Sequence, residues 1–157
     1  METDLKPDHP GIKIPPPLFY VLGLGLGAWL DHIVPLFHYP ERPARIVAFI
    51  CAVLWLAFAG NAMGLFRRAN TSILPIRPAN ALVVTGVFRL TRNPMYVSLV
   101  FLYLAVALWF GLAWPLLLLP FVIAVLQFYV IKREERYLER RFGQSYRDYQ
   151  ARVRRWL

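Results

Sequence analysis

The sequence is poor in the residues that build disulfides and metal sites. Its single cysteine, Cys51, lies within an apolar stretch, so no disulfide framework can form within the chain. Its three histidines, His9, His32 and His38, share no metal-ligand spacing with one another. These absences exclude a small disulfide-stapled fold and a metal centre built from cysteine and histidine.

Acidic residues are also scarce. Nine aspartates and glutamates stand against 18 lysines and arginines, which gives a formal net charge of +9. The basic residues gather beside apolar runs, and basic residues at such flanks meet anionic lipid headgroups. The charge is therefore explained without a nucleic-acid partner, and we expect none.

Long apolar runs dominate the chain instead. Hydrophobic residues make up 58% of it, which exceeds the usual share in a soluble domain. Crossing the bilayer's hydrocarbon core of about 30 Å takes about 20 helical residues. Four runs approach that length: 18–37, which Asp31 and His32 interrupt, 45–66, 95–112 and 112–131. The sequence predicts an all-α integral membrane bundle of about four transmembrane helices, with residues 1–157 forming a single domain.

The distribution of charge predicts how the helices are oriented. Basic residues precede the first run, fill the connection 67–92 and number nine from Lys132 onward, whereas the turn between the third and fourth runs has none. The positive-inside rule places the basic segments on the cytoplasmic side. We expect a multi-pass protein, of the bacterial cytoplasmic membrane, with both termini and the functional site facing the cytoplasm. Residues 1–17 lack the features of a cleaved signal peptide, so the first helix is expected to remain.

Glycines suggest which helices pack together. GLGLG in the first run does not match the dinucleotide-binding pattern, and no strand precedes it. Small residues instead let helices approach closely. Because Gly60 and Gly64 have the same four-residue spacing in the second run, we expect helices one and two to pair as a hairpin over 18–66. Asn61 is expected to form an interhelical hydrogen bond.

A short turn between the third and fourth runs predicts a tight antiparallel hairpin. Such a hairpin brings the beginning of the third helix beside the end of the fourth. Arg92, Asn93 and Tyr96 would then meet Glu134 and Glu135. The long connection 67–94 contains apolar stretches, ILPI among them, so we expect it to be ordered against the membrane surface.

Beyond residue 132 the pattern predicts a helical tail. One apolar stripe recurs at helical spacing, formed by Leu138, Phe142, Tyr146, Tyr149, Val153 and Trp156. Gly143 is expected to break the tail into two pieces. The stripe is typical of an amphipathic helix on the membrane surface, and it equally fits a lid packed over a site.

The stretch TRNPMY, 91–96, has a structural and a functional interpretation. Asparagine is a preferred N-cap and proline a preferred first helical residue, so Asn93 fits a plain helix start. The KREER segment favours a functional role, because Glu134 and Glu135 at a membrane edge are costly unless water, arginine or a ligand meets them. Neighbouring arginines could satisfy them locally, so spacing alone leaves both interpretations open.

Two longer segments resemble a known family. NALVVTGVFRLTRNPMYVS, followed after an apolar hairpin by EERYLERRFGQSYRDYQARV, is similar to the isoprenylcysteine carboxyl methyltransferase family. That family shares this half with the phospholipid N-methyltransferases. The common pattern is R-(H/N)-P-x-Y, a helical hairpin, then E-E-x-x-L-x-x-x-F-G-x-x-Y-x-x-Y. The resemblance covers about 80–153, and residues 1–66 carry no such signature.

The resemblance implies an S-adenosyl-L-methionine-dependent methyltransferase whose cofactor-binding half is 80–157, with S-adenosyl-L-homocysteine as product and no metal. Implied cofactor contacts fall on Asn80, Ala81, Leu82, Val83, Phe88, Asn93, Pro94, Met95, Tyr96 and Glu134, with Arg92 beside them. Catalytic roles are predicted for Arg92, Glu134 and Glu135. Two positions depart from the pattern. Asn93 replaces the usual histidine, and Val130 stands where the eukaryotic enzymes have an arginine for a carboxylate substrate, which argues against prenylcysteine esterification.

The chemistry of these residues suits that cofactor. A helix N-terminus and Arg92 could hold its carboxylate, Glu134 its ammonium or ribose, and Leu82, Val83 and Phe88 its adenine. Methyl transfer is a direct displacement, so the protein mainly supplies alignment, worth on the order of 7–11 kcal/mol.

The acceptor is expected to be a lipid or lipid-modified molecule that arrives from the bilayer. An amine would have to lose a proton, for which Glu135 and Tyr96 are candidates. Phospholipid amine methylation is the alternative to isoprenylcysteine-type methylation. A membrane NADPH-dependent reductase and a non-catalytic membrane protein remain as alternatives of another class, and the sequence leaves the oligomeric state open.

Overall fold

The computed structural model describes residues 10–72 and 78–157. This part of the chain contains six α-helices: α1 (Pro16–Ile33), α2 (Glu41–Arg68), α3 (Pro94–Trp109), α4 (Ala113–Val125), α5 (Lys132–Phe142) and α6 (Gln144–Arg152). A 3₁₀ turn, Gly86–Arg89, precedes α3, and a π-helical turn, Leu126–Ile131, joins α4 to α5. No strand occurs in residues 10–72 or 78–157, so the all-α prediction is confirmed.

Prolines and glycines fix where these helices begin and end. α1 begins within a run of three prolines, and α3 has Pro94 at its first position, where a missing N–H costs nothing. Gly111 takes a φ of 72° in the turn between α3 and α4, a backbone conformation that glycine adopts without steric cost. At Gly143, with φ 54°, the tail breaks into α5 and α6 as predicted.

Two helices are long and apolar enough to cross a membrane. They are α2 and the continuous rod Ala113–Phe142, which contains α4, the π-helical turn and α5. The apolar part of the rod ends at Ile131, and the charged α5 lies beyond it. α3 is apolar but has only 16 residues, and α1 contains Asp31 and His32. The predicted count of four spans therefore stays a prediction for α1 and α3.

The helices pack in two pairs, and the predicted pairing of α1 with α2 is wrong. α2 lies along α3, whereas α1 lies against α4. A Cβ added at Gly27 of α1 would come within 2.6 Å of Pro115, so glycine is what permits this close approach. Gly60 and Gly64 of α2 face open space among the described residues. Residues 18–66 consequently do not form a packed hairpin.

Hydrogen bonds from tyrosines join the helices within the core. Tyr103 donates to the carbonyl of Pro115 at 2.9 Å, and Tyr20 donates to the carbonyl of Tyr96 at 3.0 Å. Both tyrosines are buried, so their hydroxyls need such partners. These bonds connect α3 to α4 and α1 to the first turn of α3.

Asp31, the charge that interrupts the first apolar run, has a structural role at the opposite end of α3 from Pro94. Its Oδ2 accepts a hydrogen bond of 3.0 Å from the backbone N–H of Trp114, in the first turn of α4. First-turn N–H groups lack a partner within their own helix. Asp31 therefore caps a neighbouring helix, as an N-cap residue would cap its own.

Candidate functional site

The beginning of α3 and the beginning of α5 lie side by side, as the predicted hairpin requires. Tyr96 of α3 donates a 2.8 Å hydrogen bond to Oε2 of Glu134. Arg92, just before α3, has Nη1 3.1 Å from Oε1 of Glu135. The two polar segments that were predicted to meet, 92–96 and 134–135, therefore lie together at one end of the bundle.

The side chain of Asn93 does not cap α3, although the residue occupies the N-cap position. Its Nδ2 donates to the carbonyl of Arg155 at 2.9 Å, and its backbone N–H donates to Oγ1 of Thr91 at 3.1 Å. The plain capping interpretation of this motif is wrong for the side chain. Asn93 instead attaches the tail of the chain to the beginning of α3.

A tight 3₁₀ turn places Phe88 beside the site. Gly86 has a φ of 57°, and a Cβ there would lie 2.6 Å from Oδ1 of Asn61. That oxygen accepts a hydrogen bond of 3.2 Å from the backbone N–H of Val87. Asn61 therefore stabilises this turn. Among the described residues, its side chain bonds to the turn and not, as had been expected, to another α-helix. Phe88 is buried and stacks edge-on against Phe66 of α2.

The apolar stripe of the tail packs over this end of the bundle. Tyr146 and Tyr149 of α6 are buried and belong to the same cluster as Phe88. Tyr149 also donates a 2.6 Å hydrogen bond to the carbonyl of Phe88. Of the two interpretations of the stripe, the structure supports the lid rather than a helix lying free on the membrane surface.

Two cavities lie at this end of the molecule. The first, here called the loop-side cavity, is a partly open cleft between the connection after α2 and the tail. Its walls include Ala81, Leu82, Val83, Tyr137, Leu138, Tyr146 and Tyr149. The second, the helix-side cavity, lies between the ends of α1, α2 and α3.

The two cavities share one set of walls. Phe66, Phe88, Arg92 and Glu134 line both of them. Two ligands held in the two cavities would therefore both lie against these four residues, here called the junction.

The predicted site residues divide between these cavities. Ala81, Leu82 and Val83 line the loop-side cavity only. The helix-side cavity alone is bordered by the residues of the α3 entry, Asn93, Pro94, Met95 and Tyr96. The family resemblance implied that both groups contact one ligand, the cofactor.

Two predicted site residues line neither cavity. Asn80 donates through Nδ2 to the carbonyl of Asn70 at 3.1 Å, which fixes the connection after α2. Glu135 is buried between Arg92 and Arg155. The catalytic role predicted for Glu135 stays a prediction, and its contacts in the structure are those of a buried counter-charge.

Several residues of the cavity walls were not predicted. The tyrosines Tyr146 and Tyr149 carried a signal, since both fall in the apolar stripe of the tail. Pro16 and Pro17 line the helix-side cavity, but nothing in their sequence context distinguishes them from prolines that simply begin a helix.

At the junction, Arg92 has unfilled hydrogen-bonding capacity and the carboxyl of Glu134 has a raised pKa. Within residues 10–72 and 78–157, no acceptor forms a hydrogen bond with the buried Nε and Nη1 of Arg92. Burial raises the pKa of Glu134 to about 7, the hydrogen bond from Tyr96 opposes this shift, and the charge of Glu135 adds to it. Burial also raises the pKa of Tyr146, where Glu135 adds to the shift and Arg92 opposes it. The junction thus presents the unfilled hydrogen-bonding capacity of Arg92 for an anion and one carboxyl for a cation.

Comparison with known proteins gives two matches. A family model described as PEMT, phospholipid methyltransferase, matches residues 43–145. A protein of Haemophilus influenzae described as "Uncharacterized protein" is 51% identical over 65 residues, which are 40% of this chain and 100% of that protein. No solved structure matches.

Proposed function

The chain belongs to the phospholipid methyltransferase family, and we propose that it transfers the methyl group of S-adenosyl-L-methionine to a lipid-like or membrane-soluble acceptor. The observation that carries this proposal is the junction of two cavities at Arg92 and Glu134. A reaction between a water-soluble donor and a membrane-soluble acceptor needs two compartments that meet at one point. The two cavities have this arrangement.

The loop-side cavity is proposed to hold the cofactor, because its walls match the cofactor's parts. The buried Nε of Arg92 has no hydrogen-bond partner among the described residues, and Nη1 has the Glu135 carboxylate 3.1 Å away without a hydrogen bond, so a ligand carboxylate would complete the hydrogen bonding of this guanidinium. Glu134 supplies a negative charge for an ammonium. Leu82, Val83 and the ring of Phe88 form apolar walls suited to adenine. When bound there, S-adenosyl-L-methionine would supply an activated methyl group on its sulfonium.

The helix-side cavity is proposed to receive the acceptor. Pro17, Met95 and Leu99 make its walls largely apolar. The cavity lies between the beginning of α1 and the end of α2, which do not pack along each other. A chain of the acceptor could therefore lie between these helices while its reactive head reaches the junction.

The protein's own contribution to the reaction would be binding, alignment and exclusion of water. Tyr96 fixes Glu134 through its 2.8 Å hydrogen bond, and α6 covers the loop-side cavity with Tyr146 and Tyr149. Holding two reactants in an aligned geometry lowers the barrier by on the order of 7–11 kcal/mol. No covalent intermediate with a side chain is required.

The choice between an oxygen and a nitrogen acceptor depends on the charges at the junction. Val130, at the position of the carboxylate-binding arginine in eukaryotic isoprenylcysteine enzymes, is buried in an apolar cluster. This position therefore offers no charge to a carboxylate acceptor. Among the described residues, Glu134 is the carboxyl that borders both cavities, and its negative charge suits an amine acceptor better than a carboxylate. This observation favours phospholipid amine methylation as the second candidate beside isoprenylcysteine-type methylation.

All four apolar helices are proposed to lie in the bilayer, with the site at the cytoplasmic surface. Large apolar side chains of α1, among them Val21, Leu22 and Trp29, are exposed, which suits contact with lipid. The tail, the beginning of the described chain and the end of α2 meet around the loop-side cavity. These segments carry most of the basic residues, and the positive-inside rule would place them in the cytoplasm.

Calorimetry on the purified protein in detergent tests the class of the reaction. Binding of S-adenosyl-L-homocysteine without binding of NADPH supports a methyltransferase, and the reverse result would support a reductase. Binding of neither ligand would count for a non-catalytic membrane protein. Incubation with a lipid extract and radiolabelled S-adenosyl-L-methionine, followed by identification of the labelled product, then distinguishes a phospholipid amine from a carboxylate acceptor.

A further inference from the structure

We propose that Arg155 is a positioning residue which occupies Glu135, so that Arg92 keeps hydrogen-bonding capacity available for an anionic group of a ligand at the junction. The inference rests on the proposed function, because it specifies how the same site recognises charge. It assigns a role to the segment that follows α6, residues 153–157, here called the strap.

The strap crosses the beginning of α3 and is attached to it by backbone and side-chain bonds. Its carbonyl at Arg154 accepts from the backbone N–H of Arg92 at 2.9 Å. The next carbonyl, at Arg155, accepts from both Oγ1 of Thr91 and Nδ2 of Asn93, each at 2.9 Å. Thr91 and Asn93 are buried. The strap therefore forms a fixed part of the site wall.

A further bond attaches the strap to the rod. Nε1 of Trp156 donates to Oε1 of Gln127 at 2.9 Å. Gln127 belongs to the π-helical turn that precedes α5. The backbone around Arg155 is thus held on both sides, which directs its side chain at a fixed place on α5.

That place is Glu135, and the contact has the fork geometry of a strong pair. Nε and Nη2 of Arg155 donate to Oε1 and Oε2 of Glu135 at 2.8 and 2.6 Å. Bidentate arginine–carboxylate pairs are both strong and directional. By contrast, Nη1 of Arg92 lies 3.1 Å from Oε1 of the same carboxylate without forming a hydrogen bond. Both well-aligned hydrogen bonds of the Glu135 carboxylate are therefore made with Arg155.

Arg92 is consequently held near a negative charge but left with unmet hydrogen-bonding capacity. Its side chain is 12% exposed, so water supplies little compensation, and buried unsatisfied donors are costly. A carboxylate or phosphate from a ligand would complete its hydrogen bonds. Without Arg155, Glu135 would be free to turn both oxygens to Arg92 and to hold it against α5.

The experiment compares pairs of ligands that differ in the anion. S-adenosyl-L-homocysteine has a carboxylate, whereas its decarboxylated analogue keeps the nucleoside, the thioether and the ammonium without it. Phosphatidic acid and diacylglycerol form the matching pair for a lipid phosphate. Binding of all four is measured in detergent for the wild type, for Arg155→Ala and for Arg154→Ala. Arg154 is an exposed neighbour in the strap and serves as the control.

The expected result is a selective loss in Arg155→Ala. Affinity for the member of one pair that carries the anion falls about 10- to 100-fold, which corresponds to one charge-assisted hydrogen bond, and the member without the anion is unaffected. Loss in the first pair identifies the cofactor's carboxylate, and loss in the second identifies a lipid phosphate. An equal loss for both members of each pair, or no loss at all, would overturn the inference. Failure of the wild type to bind S-adenosyl-L-homocysteine would instead overturn the proposed function.

A double variant tests the mechanism even if Arg155→Ala is less stable. Replacing Glu135 by glutamine in the Arg155→Ala background removes the charge that would hold Arg92. Binding of the anionic ligand should then recover at least tenfold relative to Arg155→Ala. If Arg155 acts only by stabilising the fold, the second substitution brings no recovery, and the inference is refuted.

Discussion

Tyr96 in the first turn of α3 and Glu134 in the first turn of α5 are 38 residues apart in sequence and 2.8 Å apart in space. The hydroxyl of Tyr96 donates to a carboxyl oxygen that borders both cavities. This bond fixes the relative position of two helix ends that approach from different parts of the chain. The chemistry proposed for the site depends on these two ends staying together.

Replacing Glu134 by alanine is expected to weaken binding of S-adenosyl-L-homocysteine by about 100-fold, because the cofactor's ammonium loses a charged partner. Calorimetry in detergent measures the affinity. Glu139→Ala is the control, since that carboxylate lies on the same helix, is partly exposed and pairs with Arg147 outside the site. Equal affinities for Glu134→Ala and Glu139→Ala would contradict the assignment.

Arg92→Ala is expected to reduce affinity for S-adenosyl-L-homocysteine by at least tenfold while the protein stays folded. The reason is that a buried guanidinium with unfilled hydrogen-bonding capacity for an anion is removed. Arg89→Ala gives the comparison, because Arg89 is exposed in the neighbouring 3₁₀ turn. Circular dichroism checks the helical content of both variants, and an unchanged affinity in Arg92→Ala would exclude a direct contact.

Cofactor affinity is expected to depend on pH through Glu134. Burial raises its pKa to about 7 in the free protein, and binding of an ammonium requires the ionised carboxylate. Affinity for S-adenosyl-L-homocysteine should therefore rise with pH, by about tenfold between pH 6 and pH 8. In Glu134→Gln the affinity should be weak, and its change over this range should be much smaller. A flat profile in the wild type would mean that Glu134 does not hold the ammonium.

Filling either cavity should separate the two proposed binding steps. Leu99→Trp narrows the helix-side cavity, so methyl transfer to lipid should fall while affinity for S-adenosyl-L-homocysteine is retained. Leu82→Trp narrows the loop-side cavity and should weaken that affinity first. Radiolabel transfer and calorimetry on both variants measure the two effects. The assignment of the cavities fails if both variants lose the same step.

Gly27→Ala is expected to destabilise the bundle. Its added Cβ would meet Pro115 at 2.6 to 2.7 Å, including the backbone nitrogen, and overpacking of this kind costs about 1–3 kcal/mol. Gly25→Ala is the control, since a Cβ there meets nothing within 4 Å. Thermal unfolding in detergent should show a lower midpoint for Gly27→Ala alone. Equal midpoints would show that α1 can shift away from α4.

The sequence predicted the helices and the meeting of α3 with α5 because both follow from local rules. Apolar runs, Pro94 and Gly143 act within a few residues of where they stand, and the short turn at Gly111 forces α3 and α4 to run antiparallel. The residues that meet at Glu134 then follow from helix length alone. Family resemblance added the cofactor, which no local rule could supply.

Helix pairing could not be predicted in the same way. Glycine spacing is the same in α1 and α2, and it does not indicate which neighbour supplies the side chain that fills the gap. Val122 and Pro115 of α4 fill the spaces at Gly23 and Gly27. The role of Arg155 was hidden for a similar reason, because it is one of several arginines in the tail and only the folded strap distinguishes it. Residues 73–77, which include the whole ILPI stretch predicted to be ordered, lie outside the part of the chain that the structure describes.

The π-helical turn between α4 and α5 sets the rotation of α5 about the axis of the rod. Such a turn contains one residue more than an ideal helix would use there, and one residue corresponds to a rotation of about 100°. A helix of the same composition shortened by a single residue between 126 and 131 would aim Glu134 and Glu135 at different neighbours. The orientation of these two carboxylates thus depends on the number of residues in the rod, and a single deletion within 126–131 would be enough to change it.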